Sequence, residues 1–326
     1  MSRYKTSSYK AYKTARRRSL GLLAGLGIFA LTGFSQAAEP EQLRIGYQKY
    51  GTLVLLKAQG NLDKRLAAQG IQVKWTEFPS GPALLEALNV GALDFGQAGE
   101  APPIFAQAAG ANLVYVGNEP PEPEGEAIVV PQHSPIKSVA ELKGKKIALN
   151  KGSNVHYLLV KLLEKAGLQY QDIDAVFLPP ADARAAFERG SVDAWAIWDP
   201  FLAAAQTQTG ARILADGKGV VSNHAFYLAA RPYAEKRGNV VSLVLEELAR
   251  TDQWAARNRK AAAKEIAPLL GLGLAATELA LSRNSFGVKP VSAEVLEAQQ
   301  KIADVFHRLK LIPKPIVVKA AALPQK

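Results

Sequence analysis

Cysteine is absent from all 326 residues of the sequence. Disulfide bonds, thiol catalysis and attachment of a lipid to a cysteine are therefore excluded for this chain. The sequence also lacks a phosphate-binding P-loop and the GxSxG motif of serine hydrolases. We therefore expect no catalytic residues and no cofactor, and we predict that the protein is not an enzyme. No metal site is predicted either, because the histidines lie in unrelated contexts without metal-ligand spacing; they are His133, His156, His224 and His307.

A strong excess of one charge sign is missing once the N-terminal segment is set aside. The formal net charge is +11, but seven of the 40 Lys and Arg residues lie in residues 1–37, which hold no Asp or Glu. The remaining 33 basic residues face 29 acidic ones, a balance of +4. This balance is too mild to indicate nucleic acid, and no basic stripe interleaved with aromatics supports such a partner.

The apolar run near the N-terminus, residues 20–31, is too short to span a bilayer comfortably. It follows a basic stretch that ends at Arg18 and precedes the small residues of Ser35-Gln36-Ala37. This order is typical of a cleavable signal peptide, so we predict export to a bacterial periplasm. Cleavage is expected after Ala37, with Ala38 as the alternative. The run of three arginines up to Arg18 leaves Sec and twin-arginine export both open, and a membrane anchor is the alternative interpretation.

From residue 42 the apolar pattern alternates between strands and helices. The order predicts an α/β fold, with mostly parallel sheets that carry helices on both faces. A proline-rich, acidic stretch, residues 119–125, interrupts the pattern and indicates a stiff connection to a second unit. After a strand at residues 226–230 the chain is almost wholly helical, and residues 312–326 are expected to be loose.

Two strands, near residues 126–131 and 226–230, are predicted to cross between the two units. Two lobes joined in this way would form a hinge around a cleft. We therefore predict a signal peptide over residues 1–37, followed by two lobes. The first lobe comprises residues 38–126 and 225–326, and the second comprises residues 127–224.

A weak internal repeat supports two similar lobes. Residues 85–94, LEALNVGALD, resemble residues 184–193, RAAFERGSVD. In each copy a helix ends at a glycine, as is common for a helix C-cap, and a strand begins at an apolar-Asp pair.

Candidate ligand-binding residues lie where predicted strands end and helices begin. In parallel sheets the ligand sits beyond the carboxyl ends of the strands, and helix N-termini there present N–H groups and a positive dipole to a small anion. Gly152 permits the turn after the strand at residues 146–149, and Ser153 or Asn154 can cap the next helix. The residues that follow these strand ends are Gln48, Ser80, Gly81, Gly99, Glu100, Ser153 and Asn154.

Trp195 and Trp198 complete the predicted site as walls for an organic ligand body. Residues three apart in a strand point to opposite faces, so one tryptophan is expected to line the pocket and the other to lie in the core. The sequence does not decide which one. Glu100 is a carboxylate among anion contacts, and three roles stay open: a helix cap, a partner for a cationic ligand group, or a side chain facing away. His156, one turn inside a helix, is interpreted as a packing or rim residue.

Six runs of residues carry a resemblance to a known family. The mature chain resembles the periplasmic aliphatic-sulfonate-binding proteins of ABC importers, over nearly its whole length. One departure is Glu100, which stands where similar proteins often carry aspartate. The runs are LRIGYQK (43–49), EFPSGPALLEALNVGALDFG (77–96), PPIFAQAAGANLVYVGNEPPEP (102–123), SPIKSVAELKGKK (134–146), PADARAAFERGSVDAWAIWDP (180–200) and FYLAARPYAEK (226–236).

The resemblance implies a type II-like periplasmic-binding-protein fold that closes on its ligand between two lobes and delivers it to a membrane permease. It implies a monomer that binds alkanesulfonates for sulfur supply. The sulfonate oxygens are expected at the turns of Ser80-Gly81, Gly99-Glu100 and Ser153-Asn154, with Gln48 and a tryptophan near the tail. Taurine, a sulfate ester or nitrate are alternative ligands. An enzyme of the thiamin-pyrimidine type is disfavoured because such relatives use cysteine-rich signatures.

Overall fold

The computed structural model describes residues 41–323, so the predicted signal peptide lies outside the described residues. The described part of the chain contains ten strands and twelve α-helices. The strands are β1 (Glu41–Tyr47), β2 (Ile71–Glu77), β3 (Phe95–Gly99), β4 (Leu113–Asn118), β5 (Glu126–Val130), β6 (Lys146–Leu149), β7 (Asp174–Phe177), β8 (Ala194–Trp198), β9 (Arg212–Asp216) and β10 (Ala225–Ala230).

The helices alternate with the strands up to β9 and then follow one another after β10. They are α1 (Thr52–Gln59), α2 (Asn61–Ala67), α3 (Gly81–Asn89), α4 (Ala101–Ala108), α5 (Asn154–Lys165), α6 (Pro180–Glu188), α7 (Phe201–Thr209), α8 (Arg231–Lys236), α9 (Gly238–Arg257), α10 (Arg259–Leu270), α11 (Leu274–Arg283) and α12 (Ala293–Arg308).

The strands form two five-stranded sheets with the same pattern. The first sheet has the order β2-β1-β3-β10-β4, and the second has the order β7-β6-β8-β5-β9. In each sheet the first three strands are parallel, and the fourth is antiparallel to both of its neighbours. The α/β prediction is confirmed: in each sheet four strands run in one direction, and one strand inserted among them runs against them. The antiparallel strands, β5 and β10, are those that the chain enters directly from the other sheet.

Alternation along the strands places a separate hydrophobic core on each face of each sheet. In the first sheet, Phe95 packs with helices α1 and α9, whereas Phe226 packs on the opposite face with α3, α4 and α12. In the second sheet, Ala196 faces α5, whereas Trp195 faces α6 and α7. The sheets are therefore covered on both faces, which leaves their strand ends as the place for a site.

The internal repeat occupies equivalent positions in the two sheets. Asp94 precedes β3, and one of its carboxylate oxygens accepts the N–H of Arg44 in β1 at 2.8 Å. Asp193 precedes β8 and accepts the N–H of Lys146 in β6 at the same distance. Each aspartate therefore joins the start of one strand to its parallel neighbour, which explains why the sequence echo ends at these residues.

Three local predictions differ from the structure. The apolar pattern of residues 53–68 predicts one helix, but the structure has two, because Gly60 adopts a left-handed conformation with φ of 63°. The pattern of residues 234–258 also predicts one helix, and this segment is likewise divided between α8 and α9. The expectation of a loose tail is wrong for residues 312–323: Ile312 and Val318 are buried, and the Val318 N–H donates to Gln300 at 2.8 Å. Apolar side chains between the prolines and lysines anchor this segment.

None of the described helices is by itself long and apolar enough to cross a membrane. One bent pair, α10 with α11, passes that test by length and composition, with an angle of 119° between its helices.

Candidate functional site

A cavity beyond the carboxyl ends of the parallel strands brings together turns that follow both sheets. Its volume is about 30 Å³, so it suits only a compact group. No charged side chain lines it. We call it the inner cavity, and it is lined by Gln48, Tyr50, Gly81, Gly99, Pro102, Ser153, Asn154, Trp198 and Asn223.

Six of the nine predicted site residues line the inner cavity. They come from five different strand ends, as the rule for parallel sheets predicts. The structure does not bring the side chains of Ser80, Glu100 and Trp195 to it. The six are Gln48, Gly81, Gly99, Ser153, Asn154 and Trp198.

Gly81 begins helix α3 directly beside the inner cavity. A Cβ at this position would lie 2.8 Å from Cγ of Pro102, so any side chain would displace the neighbouring helix start. Ser80 precedes it as the N-cap in an extended conformation, and its hydroxyl makes no capping hydrogen bond. The close approach therefore requires glycine and leaves the first turn of α3 uncovered on the cavity side.

The turn before α5 is held from within by a buried histidine. Gly152 has a φ of 76°, as the turn requires, and its N–H donates to Nδ1 of His156 at 3.2 Å. The other ring nitrogen lies 3.0 Å from the Tyr170 hydroxyl. Burial, and secondarily the charge of Lys151, lowers the pKa of His156 to about 4. His156 is thus a neutral packing residue that fixes the turn, as one of its two predicted interpretations states.

Ser153 is the N-cap of α5, but its hydroxyl does not cap the helix. Instead it donates to the carbonyl of Asn150 at 2.6 Å, within the same turn. A hydroxyl can rotate about its C–O bond, and it can accept as well as donate a hydrogen bond. Ser153 can therefore turn its O–H toward the inner cavity, which it lines.

Asn154 connects the two halves of the inner cavity. Its Oδ1 accepts the Ala101 N–H at the start of α4 at 3.1 Å, and its Nδ2 donates to Oδ1 of Asn223 at 2.5 Å. A Cβ on Gly99 would lie 2.1 Å from Nδ2 of Asn154. The absence of a side chain at Gly99 is therefore what lets Asn154 reach from the second sheet to a helix of the first.

Trp195 and Trp198 separate as their spacing predicts. Trp195 is 1% exposed and packs against Phe187 on the far face of the second sheet. Trp198 ends β8, lines the inner cavity and contacts Phe201 edge-on, with ring centroids 6.1 Å apart. Strand alternation sends the first ring into the core, so Trp198 is the aromatic wall of the site.

A larger apolar cavity continues outward from the inner cavity. It has a volume of about 220 Å³ and shares Gln48, Tyr50 and Trp198 with the inner cavity. Lys49 and Glu77 also border it, with 3.8 Å between their charged groups. We call it the outer cavity; its apolar walls are Phe78, Pro79, Pro179, Pro180, Ala181 and Phe201.

Glu100 directs its carboxyl away from the inner cavity. Its Oε2 accepts the backbone N–H of His224 at 3.1 Å, and burial raises the pKa of this carboxyl to about 7. Of the three roles predicted for Glu100, the structure agrees with the third, a side chain that faces away from the inner cavity. It borders a third cavity of about 370 Å³, which we call the rear cavity and which is also lined by Tyr157, Val221, His224, Gln299 and Lys301.

Three residues that line the inner cavity were not predicted from the sequence: Tyr50, Pro102 and Asn223. Tyr50 donates its hydroxyl to Glu122, and burial raises the pKa of that carboxyl to about 8. Tyr50 lies two residues after Gln48, so its position just after a strand end could have predicted that it lines the site. Asn223 lies in an irregular segment before β10 and has a φ of 51°, a conformation that no sequence pattern announced.

No group of three or more His, Asp or Glu side chains in residues 41–323 is placed to hold a metal ion. The inner cavity instead offers amide, hydroxyl and backbone donors next to an aromatic wall. Chemically, such an arrangement is suited to hold a small anion with an organic tail, without a counter-charge.

Comparisons with known proteins agree with this geometry. The profile of the NMT1-like family matches residues 36–271. A protein of Escherichia coli K12, provisionally named an aliphatic sulfonates-binding protein, is 48% identical over 306 residues, which cover 93% of this chain and 95% of that protein.

Two solved structures are similar over most of their length. The alkanesulfonate-binding protein of Xanthomonas axonopodis pv. citri bound to MOPS has a TM-score of 0.82 and 46% identity, covering 88% of this chain and 99% of the other. The periplasmic aliphatic sulphonate binding protein of Escherichia coli has a TM-score of 0.78 and 47% identity, covering 88% and 95%.

Proposed function

The chain belongs to the NMT1-like family and, within it, to the aliphatic-sulfonate-binding proteins of ABC importers, and from this premise we propose that it binds alkanesulfonates and hands them to a membrane permease. It is a binding protein and not an enzyme. The observation that carries the ligand class is the uncharged lining of the inner cavity. A sulfonate stays ionised at every physiological pH, so neutral donors suffice to hold it.

The proposed pose puts the sulfonate head in the inner cavity. The turns that begin α3, α4 and α5 converge there. Pro102 and Pro103 present no N–H and the Ala101 N–H is bonded to Asn154, so free N–H groups and positive dipole ends face the anion mainly from the starts of α3 and α5. The side chains of Gln48, Ser153, Asn154 and Asn223 add polar groups around the same space. Because the inner cavity is compact, the tail leaves past Trp198 into the outer cavity.

The outer cavity would set the tail preference. Its walls are aromatic rings and prolines, which offer apolar surface and no backbone donor at the proline positions. Each buried methylene contributes about 0.8 kcal/mol, or roughly fourfold in affinity. Affinity should therefore rise from methanesulfonate through ethanesulfonate to butanesulfonate until the cavity is filled.

Calorimetry with this series tests the proposal. Binding tighter than about 1 mM that strengthens with tail length is the expected result, and absence of binding by every member at that level overturns it. Butyrate, taurine, ethyl sulfate and nitrate in the same titrations compare the alternative ligands. The buffer must not itself be a sulfonate.

Ala181→Trp provides a matched structural test of the tail path. Ala181 is exposed at the start of α6 and borders the outer cavity, so an indole there reduces the tail space. The affinity lost should grow with tail length. A loss that is the same for methanesulfonate and butanesulfonate would place the tail elsewhere.

We further propose the two-lobed arrangement predicted from the sequence, with residues 38–126 and 225–326 in one lobe and 127–224 in the other. The chain would work as an exported monomer in the periplasm, with residues 1–37 removed. Mass determination of the N-terminus after export, together with the solution mass of the mature protein, tests these points.

A further inference from the structure

Glu100 stands between the inner and the rear cavity. Its backbone neighbours Gly99 and Pro102 line the inner cavity, and the adjacent Ala101 N–H is bonded to Asn154. Its side chain instead lines the rear cavity. The Glu100 backbone therefore lies beside the inner cavity, the proposed anion site, while its side chain reaches the rear cavity.

The Glu100 carboxyl is buried without a cation. Glu100 is 1% exposed, and among residues 41–323 its Oε1 has no hydrogen-bond partner and neither oxygen is in a salt bridge. A buried carboxylate without a counter-charge is costly, so the proton-bearing form is favoured. Desolvation accordingly raises its pKa to about 7, against the lowering by the N–H donors of His224 and Asn223.

The groups that face this carboxyl come from four elements. Glu126 of β5 is fully buried with both oxygens unpartnered in the described part of the chain. Burial, followed by repulsion from Glu100 and Glu122, raises its pKa well above the usual value. Tyr157 of α5 and His224 before β10 border the rear cavity, where the His224 ring donates through Nδ1 to the Glu119 carbonyl at 2.9 Å. From α12, Gln299 donates to the Glu100 carbonyl at 2.8 Å.

Lys301 of α12 also borders the rear cavity. It is exposed, and it makes no ion pair with Glu100. No fixed positive charge therefore holds the Glu100 carboxyl in its ionised form.

We propose that Glu100 couples anion binding in the inner cavity to the uptake of one proton, which enters through the rear cavity. The proposal rests on the proposed function, because it requires an anion in the inner cavity. A negative ligand beside Gly99 and Ala101 disfavours a second negative charge on the adjoining side chain. The complex therefore holds the Glu100 proton to a higher pH than the free protein does.

The sign of the effect follows from this linkage. Below the pKa of free Glu100, near 7, the carboxyl is already neutral and the anion binds without proton uptake. As the pH rises above 7 the free protein loses this proton, and binding must restore it. Affinity therefore falls as pH rises through about 7, and we expect a dissociation constant at least fivefold higher at pH 8.5 than at pH 6, the lower end of usual coupling between sites.

Titration calorimetry of the full mature chain with ethanesulfonate measures the proton directly. At pH 7.5, the observed enthalpies in phosphate and in Tris differ by the product of the proton uptake and the difference between the two buffer ionisation enthalpies. We expect uptake of a substantial fraction of a proton per ligand. This measurement needs no variant, so it does not depend on the folding of one.

Glu100→Gln keeps the shape of the side chain and removes the titrating group. In this variant the ratio of dissociation constants at pH 8.5 and pH 6 should fall to about one, and the buffer dependence of the enthalpy should vanish. Glu126→Gln is the matched control, because it removes the neighbouring buried carboxyl, whose pKa burial raises well above the usual value, and leaves Glu100 in place; proton uptake should persist in it. His224→Gln tests the other titratable group of the rear cavity and should also retain the uptake.

Three outcomes overturn the proposal: binding without proton uptake in the wild type, uptake that persists in Glu100→Gln, or uptake lost in His224→Gln but not in Glu100→Gln. Failure of the proposed function is a different result, because ethanesulfonate would then give no binding heat at any pH.

Discussion

The turns that follow β3 and β8 lie at the same place in two sheets of the same strand order, but they carry different chemistry. Strand β3 ends at Gly99 and is followed by Glu100, and β8 ends at Trp198 and is followed by Asp199. Gly99 leaves room for Asn154, whereas Trp198 fills its space with a ring. The turn at the end of β3 thus makes room for an amide side chain, whereas the turn at the end of β8 presents an apolar wall.

The turns after β2 and β7 differ in the same sense. Helix α3 follows Ser80 and begins at Gly81, whereas α6 follows Pro179 and begins at Pro180. Pro179 and Pro180 present no N–H, so the start of α6 has two fewer donors, although Ala181 and Asp182 keep theirs; the first turn of α3 lacks only the N–H of Pro82. The comparison teaches that equivalent turns of the two sheets differ in the donors they offer. Both sheets nevertheless contribute to both cavities, because Ser153 and Asn154 line the inner cavity and Phe78 and Pro79 line the outer cavity.

The two buried carboxylates of this comparison also differ in their partners. Asp199 is bonded by both oxygens to Arg283, at 2.9 and 3.0 Å, whereas Glu100 has only N–H donors. Burial is the larger effect on Asp199 and raises its pKa to about 6, opposed by Arg283. One carboxyl group therefore has a fixed counter-charge, and the other has none among residues 41–323.

Removing the positive charge of Arg283 should have the largest effect on the free energy of unfolding. Arg283→Gln leaves Asp199 buried without its cation, and breaking a buried ion pair in this way costs about 3–5 kcal/mol of unfolding free energy. Urea unfolding at pH 7.5 measures it. Arg184→Gln, which breaks the exposed pair with Glu188, is the control and should cost less than about 1 kcal/mol. Equal losses of unfolding free energy in Arg283→Gln and Arg184→Gln would show that the buried Asp199–Arg283 pair contributes no more to stability than an exposed pair.

The second test concerns the pH dependence of stability. The folded-state pKa of Glu100 is about 7 and the ordinary value is 4.5, so its stabilising contribution is complete below about pH 4.5 and is lost as pH rises through 7. Glu100→Gln should therefore reduce the fall in unfolding free energy between pH 5 and pH 8 by about 2–3 kcal/mol.

Glu119 and Glu122 have pKa values raised to about 9 and 8 by burial, so the wild type and the variant should both still lose stability as pH rises. Denaturant titrations at pH 5, 6.5 and 8 give the two curves. Parallel curves would mean that Glu100 titrates normally in the folded protein.

The third test makes the turn after β3 more like its counterpart. In Gly99→Ala the new methyl group would collide with Asn154, and relief of such overpacking costs about 1–3 kcal/mol. Ethanesulfonate affinity should fall about tenfold or more. Gly238→Ala adds the same group where no atom lies within 4 Å and serves as the control. An unchanged affinity in Gly99→Ala would remove the Asn154 contact from the site.

The smallest expected difference separates two serines that look alike in the sequence. Ser153 lines the inner cavity, whereas Ser80 is buried and does not. Ser153→Ala should weaken ethanesulfonate binding by about 0.5–1.5 kcal/mol, and Ser80→Ala by less. A larger loss of affinity in Ser80→Ala than in Ser153→Ala would mean that the Ser80 hydroxyl, and not the Ser153 hydroxyl, contacts the ligand.

The sequence predicted what depends on local pattern and on similarity of residue runs. The alternation of strands and helices, the α/β class and the family are all confirmed. It also predicted a separation of Trp195 from Trp198 by strand alternation, but not which ring meets the cavity. That choice depends on which face α5 covers, and this is a tertiary contact.

What the sequence could not provide were contacts between distant segments. Asn154 meets Asn223 across 69 residues, and Tyr50 meets Glu122 across 72. By composition, Ser80-Gly81 is most similar to Ser153-Asn154, since each turn offers a hydroxyl at a helix start. By position in the sheets, Ser80-Gly81 corresponds to Pro179-Pro180, whose lack of N–H groups hid the relationship. The role of each turn stays a prediction until ligand binding is measured.

The placement of β10 has a consequence for synthesis. This strand lies between β3 and β4, which do not pair with each other, so the first sheet has a gap until residues 225–230 have been made. All five strands of the second sheet lie within residues 126–216. During vectorial synthesis the second sheet can therefore be completed before the first, and the segment that precedes it remains an unfinished sheet until β10 has been made.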